Sequence, residues 1–183
     1  MIPELMRIFM DEDNLEWDEA WKIVTECFDY TNHTVMSEAL ETWPQGLIQS
    51  QMPRIWEIIC EINRRWCDYL REQFGDDERV GRNLIIAEGK VYMANMCLAT
   101  CKIVNGVSAL HGDILKKDLF MDVCALNPAR FTFVTNGIDH RRWLAQINPG
   151  LHGLVCELLG GDDYLLHPEK MADLAKFATE REV

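Results

Sequence analysis

The chain has 183 residues, enough for one ordinary domain or for parts of two. Its 30 acidic and 18 basic residues give a net charge of −12, which argues against nucleic acid or an anionic membrane as a partner. No window reaches the roughly 18 continuous apolar residues of a membrane span, and the N-terminus lacks the basic and apolar regions of a signal peptide. We therefore expect a cytoplasmic protein with no membrane partner.

Seven cysteines are present, and none forms a Cys-x-x-Cys pair. Cys60 and Cys67 are seven residues apart and Cys97 and Cys101 four apart, so each pair could share a helix face among apolar neighbours. This pattern favours buried, reduced thiols over a metal site or a redox pair. It also suits a reducing cytoplasm, and we predict no metal site.

The N-terminal part has helical periodicity. A short apolar-faced segment over residues 3–10 precedes a helix over residues 18–28, which carries Trp17, Trp21 and Val24 on one side. Residues 30–34 break the pattern and predict a loop, because Asn and Thr side chains compete for backbone hydrogen bonds. Six tryptophans are many for this length; they indicate deep packing or a ligand wall, of which packing is the commoner use.

The clearest helix covers residues 53–74. Pro53 suits its first turn and Gly75 the position after its last. One face carries an apolar stripe, made of Ile55, Ile58, Ile59, Ile62, Trp66, Tyr69 and Leu70. A second helix, over residues 91–104, is apolar on nearly every side, which is typical of a helix buried all round. We expect its faces to be covered by parts of a larger protein, so that the chain alone exposes apolar surface and self-associates.

Shorter elements follow. Ser108 is a candidate N-cap, and residues 131–135 alternate like a strand. Asn136-Gly137 predicts a turn, after which Asp139 can cap a helix that carries Trp143. Residues 148–150 interrupt that helix. Residues 160–161 separate the last two predicted helices, and Pro168 begins the second of them. The sequence thus predicts a mainly helical chain with very little sheet.

Few residues point to chemistry by themselves. His33 lies in a polar loop, where it either satisfies loop backbone groups or donates to a polar ligand such as a sugar, and a lone histidine does not separate the two. The backbone at Asn136-Gly137 is a weak candidate for holding an anion. His111 and His140 have no Cys or His at ligand spacing, so structural roles are favoured for both.

Several longer motifs change these expectations. Residues 30–35 read YTNHTV and residues 38–44 read EALETWP; EINRR, NGV, DILKK, TNGI, RRWL and NPGL follow at residues 61–65, 105–107, 113–117, 135–138, 141–144 and 148–151. In this order they resemble the glycogen, starch and maltodextrin phosphorylases over almost the whole chain. The resemblance implies a two-domain, Rossmann-like α/β enzyme of the glycosyltransferase B type. Residues 1–136 would be the helical end of its N-terminal domain and residues 137–183 the start of its C-terminal domain.

The family releases glucose 1-phosphate from glycogen, starch or maltodextrin with inorganic phosphate, using pyridoxal phosphate. By position, His33 is similar to the family's catalytic histidine, which contacts the glucose C6 hydroxyl. Asn136 matches an asparagine that shares this hydroxyl, and Val107 a small residue lining the glucose pocket. Trp143 matches a tryptophan beside the cofactor.

Two differences from the family accompany these matches. Asp139-His140 stands where many relatives carry Thr-Pro, and Gly112 replaces a frequent serine, which suggests a bacterial subfamily. None of the seven lysines stands in the family's glycine-rich cofactor context, G(T/S)xNMK. We therefore expect an internal segment that is inactive alone and binds glucan and phosphate only within a full enzyme. The alternative is a non-catalytic helical remnant, or a binding subunit that completes an enzyme with another chain.

Overall fold

The computed structural model describes residues 1–75 and 77–178. They divide into two compact units, Met1–Thr135 and one that begins at Asn136. Most of the described residues are helical, which confirms the mainly helical prediction. The correspondence of the units to two phosphorylase domains stays a prediction, and residues 179–183 of the second predicted domain lie outside the described residues.

Eight α-helices belong to the described part of the first unit. They are α1 (Ile2–Arg7), α2 (Trp17–Cys27), α3 (Gln45–Gln51), α4 (Pro53–Phe74), α5 (Asp77–Arg82), α6 (Met93–Thr100), α7 (Ala109–Ile114) and α8 (Met121–Leu126). Wider π-helical turns extend α1 over Ile8–Glu12 and α7 over Leu115–Leu119. Two 3₁₀ turns, Ser37–Ala39 and Pro128–Arg130, lie between other elements. Six short strands complete the unit: β1 (Tyr30–Thr31), β2 (Thr42–Pro44), β3 (Ile86–Ala87), β4 (Lys90–Tyr92), β5 (Val104–Gly106) and β6 (Phe131–Phe133).

Helix α4 crosses the core of the first unit and has the bounds that the sequence predicts. Pro53 opens it, and Gly75 ends it in the left-handed conformation with φ 61°. The predicted stripe is largely buried, as Ile58, Ile59, Ile62, Trp66 and Leu70, whereas Tyr69 is exposed. Polar groups of the buried face are satisfied: Asn63 Oδ1 accepts the backbone N–H of Ile85 at 2.9 Å, and the Trp66 indole donates to the Asn83 carbonyl at 2.9 Å.

The predicted helix over residues 91–104 is shorter than its apolar run. It is helical only as α6, because Val91 pairs in β4 and Val104 in β5. No residue of α6 is exposed, as expected of a helix that is apolar all round. The expectation that missing parts cover it is wrong, however, since elements of this chain already bury it. The apolar run does not show where the helix ends, because a buried strand and a buried helix are both continuously apolar in sequence.

Two small sheets lie in the first unit. One is antiparallel, in the order β2-β4-β3. The other is parallel, in the order β1-β5-β6, and pairs Tyr30 with Val104 and Val104 with Phe131. The predicted loop at residues 30–34 therefore begins as a strand, and Asn105 and Gly106, which follow the predicted helix over residues 91–104, belong to β5. Because the strands are parallel, their carboxyl ends lie at one edge, where open α/β sheets usually bind ligands.

The second unit is held by a smaller cluster. A π-helical segment, Arg141–Gln146, precedes α9 (Pro149–Leu159) and two 3₁₀ segments, Asp163–Leu165 and Pro168–Phe177. The helix is interrupted at Asn148, as the sequence predicts, and Asn148 caps α9 by accepting the Leu151 N–H at 3.2 Å. Tyr164 is buried, and its hydroxyl lies 2.7 Å from His152 Nδ1.

No helix in the described part of the chain is both long and apolar enough to cross a bilayer.

Candidate functional site

The chain leaves β1 through a tight polar turn that presents His33. Asn32 is buried; its Oδ1 accepts the Thr34 N–H at 2.8 Å, and its Nδ2 donates to the Tyr30 hydroxyl at 3.0 Å. Its own backbone N–H donates to the Asn105 carbonyl of β5 at 2.9 Å. Burial raises the pKa of Tyr30, which keeps the phenol neutral in this contact. The turn is thus fixed on both sides of His33.

A second loop leaves β5 at the same edge and carries Val107. Ser108 caps α7, as predicted, by accepting the His111 N–H at 3.0 Å. The buried His111 ring connects the two loops, because its Nδ1 accepts the Val107 N–H at 3.0 Å and its Nε2 lies 2.9 Å from the Thr34 carbonyl. Since a carbonyl only accepts, Nε2 carries the proton and donates to Thr34.

A close backbone contact fixes the second loop against α7. A Cβ added to Gly106 would lie 2.9 Å from the Gly112 nitrogen and 3.0 Å from its Cα, which is closer than such atoms pack. Gly112 in turn lies against Phe133 of β6, where an added Cβ would be 3.3 Å from the Phe133 Cβ. Glycine at residue 106 is therefore required by space rather than by its backbone angles.

Between the loops lies an open cleft of about 420 Å³. His33 and Thr34 line it from the first loop, Val107 and Ser108 from the second, and Leu110 and Ile114 from α7. The structure thus brings two predicted site residues, His33 and Val107, to one cleft at the carboxyl edge of the parallel sheet. This arrangement can offer an imidazole and a small apolar wall to a polar ligand.

The two histidines have different roles. Among the described residues none hydrogen-bonds to the exposed His33 ring, so this ring does not satisfy the loop backbone. His111 does so instead, which agrees with the structural role predicted for it. Its place in the cleft was not predicted from the sequence. Only the spacing of Ser108 and His111, three residues apart at a helix start, pointed to its position.

The other predicted site residues, Asn136 and Trp143, lie in the second unit. Asn136 is exposed and precedes Gly137, whose φ is 69°. Trp143 lies in the π-helical segment, which Asp139 caps by accepting the Arg142 N–H at 3.1 Å, and its ring is 60% exposed. His140 Nε2 lies 3.2 Å from the Tyr164 carbonyl. The Asp139-His140 pair that departs from the family pattern therefore has structural contacts of its own.

The cysteines are free thiols. Cys67, Cys101 and Cys124 are buried. The hydrogen bond with Cys97, together with burial, raises the pKa of Cys101, and burial raises the pKa of Cys67. These thiols are therefore protonated and unreactive at neutral pH. Among residues 1–75 and 77–178, no group of three or more His, Cys, Asp or Glu side chains could hold a metal ion.

Comparison with known proteins decides the family. A family model described as carbohydrate phosphorylase matches residues 1–183. The chain belongs to the carbohydrate phosphorylase family. It is 45% identical over 180 residues to the glycogen phosphorylase of Bacillus subtilis, 42% identical over 183 residues to the muscle form of Bos taurus and 41% identical over 183 residues to that of Homo sapiens.

Each of these alignments covers 98% of the chain and 22% of the relative. The chain therefore spans 22% of the length of the curated relatives it matches.

Proposed function

We propose that this chain is a segment of an α-1,4-glucan phosphorylase, a glycosyltransferase that releases glucose 1-phosphate from glycogen or maltodextrin with inorganic phosphate. The observation that supports it is the free His33 ring facing Val107 across one cleft, in a chain that belongs to the phosphorylase family. The names of the relatives, which are glycogen phosphorylases, agree with this activity.

In this proposal the cleft binds the terminal glucosyl unit. His33 is the catalytic residue that contacts the C6 hydroxyl, and its backbone carbonyl faces the positive charge that develops at the anomeric carbon. Val107 lines the sugar pocket, and Asn136 shares the C6 hydroxyl. Groups that demand a particular hydroxyl discriminate strongly against sugars that lack it, so the site selects glucose over 6-deoxyglucose.

Pyridoxal phosphate would supply its phosphate group for proton transfer to the substrate phosphate. Among the described residues, the exposed Trp143 would form one aromatic wall beside the cofactor. A single wall does not make a cofactor site, and none of the seven lysines stands in the family's anchoring context. These residues therefore do not hold the cofactor by themselves, and we expect no phosphorolysis by the 183 residues alone.

The parent architecture in this proposal has two facing Rossmann-like domains. Residues 1–136, which are the first unit and Asn136, would be the helical end of the N-terminal domain, and residues 137–183 would begin the C-terminal domain. The exposed site residues Asn136 and Trp143 fit a cleft that other parts of such an enzyme complete. We also propose a cytoplasmic location, which seven free thiols support.

The decisive experiment is a chimera. The matching 180-residue segment of the Bacillus subtilis glycogen phosphorylase is replaced by this chain, and glucose 1-phosphate is measured with glycogen and phosphate. We expect an active chimera. His33→Ala should lower kcat by about 100-fold or more, because positioned catalytic groups contribute on this scale.

Trp43→Phe is the matched control. Trp43 is an exposed aromatic residue whose indole N–H donates to Glu41 at 2.5 Å, so its replacement should leave kcat unchanged. A chimera that folds and carries pyridoxal phosphate yet forms no glucose 1-phosphate would overturn the proposal. So would a His33→Ala chimera with full activity.

A further inference from the structure

A second cavity in the first unit, of about 330 Å³, belongs to no predicted site. It lies between α2 and α4, and its lining includes Trp17, Trp21, Trp66, Tyr69, Arg65 and Arg130. None of its lining residues also lines the His33 cleft. Its volume is at the lower end of ligand pockets, which are roughly 300–1,000 Å³.

The walls of this aromatic cavity are two stacked pairs. The rings of Trp17 and Trp21 have centroids 6.2 Å apart and planes inclined by 17°, and those of Trp66 and Tyr69 are 5.6 Å apart and inclined by 23°. Stacked aromatic walls of this kind favour a flat ring over a branched aliphatic group.

The two arginines of the cavity differ in charge compensation. Arg65 is paired with Asp18 and Glu61, each at 2.7 Å, and its guanidinium lies 4.9 Å from the centre of the Trp17 ring. Arg130 is half-buried and donates to the carbonyl of Leu98, at 2.8 Å, and to that of Cys101. No carboxylate of residues 1–75 or 77–178 pairs with it.

The charge of Arg130 is therefore costly as it stands. Burial lowers its pKa, and neither of its carbonyl partners carries a compensating charge. A guanidinium has five N–H donors, so donors remain beyond these two contacts. A carboxylate is the group whose charge and geometry match them.

One further donor in the lining lacks an acceptor. The indole Nε1 of Trp17 is buried and hydrogen-bonds to none of the described residues. Because a water molecule does not reach this nitrogen, a ligand in the cavity would contact the Trp17 ring and not its N–H.

We propose that the aromatic cavity binds a planar aromatic carboxylate of one or two fused rings, with the ring between the stacked pairs and the carboxylate on Arg130. Glucan would be a poor occupant, because a neutral sugar leaves the guanidinium uncompensated. The proposal is independent of the proposed phosphorylase function.

The test uses the full chain and a pair of probes of one shape. 2-Naphthoate carries the carboxylate, and 2-naphthalenemethanol replaces it by a neutral alcohol. Binding is measured by calorimetry and by the indole N–H signals of the six tryptophans in ¹H–¹⁵N spectra. We expect naphthoate to bind at least about tenfold more tightly, because a hydrogen bond between charged groups is stronger than one to a neutral alcohol, and to shift the Trp17 signal.

Three variants test which residues of the cavity bind the probes. Arg130→Gln should bring the ratio of the two affinities close to one. Trp17→Phe replaces the indole of the first stacked pair by a smaller ring, so it should weaken the binding of both probes severalfold. Arg64→Gln, a surface arginine on α4 outside the cavity, should leave both affinities unchanged.

Several results would overturn the proposal. They are an absence of saturable naphthoate binding, equal affinities for the two probes, or shifts confined to tryptophans outside the cavity. If circular dichroism shows that Arg130→Gln does not fold, Trp17→Phe and the affinity ratio in the unmodified chain decide. A response that vanishes when the chain is diluted to monomer would show a site between copies and would also contradict the proposal.

Discussion

At the scale of single residues, one buried imidazole joins the two loops of the His33 cleft. His111 contacts the backbone of both loops, whereas His33, which is exposed, has no hydrogen-bond partner among the described residues. The two histidines therefore serve opposite purposes, and substitution should separate them.

His111→Phe keeps a flat ring and removes both contacts. It leaves the Val107 N–H and the Thr34 carbonyl without partners, and we expect a loss of about 2–4 kcal/mol in the free energy of unfolding. His33→Phe is the matched control and should change this free energy by no more than about 0.5 kcal/mol. Urea unfolding followed by circular dichroism measures both. Equal losses in the two variants would contradict the assignment of roles.

Gly106→Ala tests the backbone contact below the second loop. The added methyl group meets the backbone of Gly112, which does not move aside cheaply, so we expect destabilisation of about 1–3 kcal/mol. Gly46→Ala in α3 is the control, since nothing lies within 4 Å of its added Cβ and a helix favours alanine. Thermal unfolding should show Tm falling for the first variant and rising for the second. A Gly106→Ala chain as stable as the unmodified one would refute the steric reading.

At the scale of elements, helix α4 combines an apolar face with a surface network of charges. Glu61 accepts hydrogen bonds from Arg64 at 2.6 Å and Arg65 at 2.7 Å. The hydrogen bond from Arg64, with that from Arg65, lowers the pKa of Glu61 from 4.5 to about 2. The unfolded chain binds the proton more readily, so the network contributes stability at neutral pH.

The pH dependence follows from this difference. The contribution of Glu61 is fully present above pH 4.5 and is lost as the pH falls through about 2. Because the carboxylate is partly solvated, we expect it to be at most about 1 kcal/mol. Glu61→Gln should reduce the decrease in the free energy of unfolding that occurs as the pH falls from 4.5 to about 2. Glu72→Gln on the same helix, where no described residue hydrogen-bonds to the carboxylate, should leave the fall unchanged; identical profiles for both variants would reject the assignment.

How well the sequence predicts an element depends on its length and its neighbours. The bounds of α4 follow from Pro53, Gly75 and a long amphipathic stripe, all of which are local signals. Strands β1 and β5 contain two and three residues, too few to show a period of two, and pair across more than seventy positions. The motifs predicted His33 and Val107 as site residues. Their meeting at one cleft depends on the parallel sheet and on His111, which local patterns do not encode.

At the scale of the whole molecule, apolar side chains remain on the surface. Ile138 is 79% exposed, Leu166 75% and Leu110 72%, although the chain carries a net charge of −12. Apolar surface favours association and the net charge opposes it. Salt screens the charge and leaves the apolar attraction, so association should grow with ionic strength.

Sedimentation velocity tests this expectation. We predict species heavier than 21.2 kDa whose proportion rises with protein concentration and with salt. Ile138→Asp should reduce them. Gln51→Asp, which adds the same charge at an exposed polar position, should have a smaller effect. A single 21.2 kDa species under all conditions would contradict the prediction.

The bridge through His111 has a consequence for motion. Two loops that are more than seventy positions apart in the chain share one ring, so a movement of the ring disturbs both contacts. We expect the cleft to open in a single cooperative step, in which the Val107 amide hydrogen and the Thr34 carbonyl lose their His111 partner together. A ligand entering the cleft would then meet one opening equilibrium instead of two independent loops, and a substitution that destabilises α7 should weaken binding at His33.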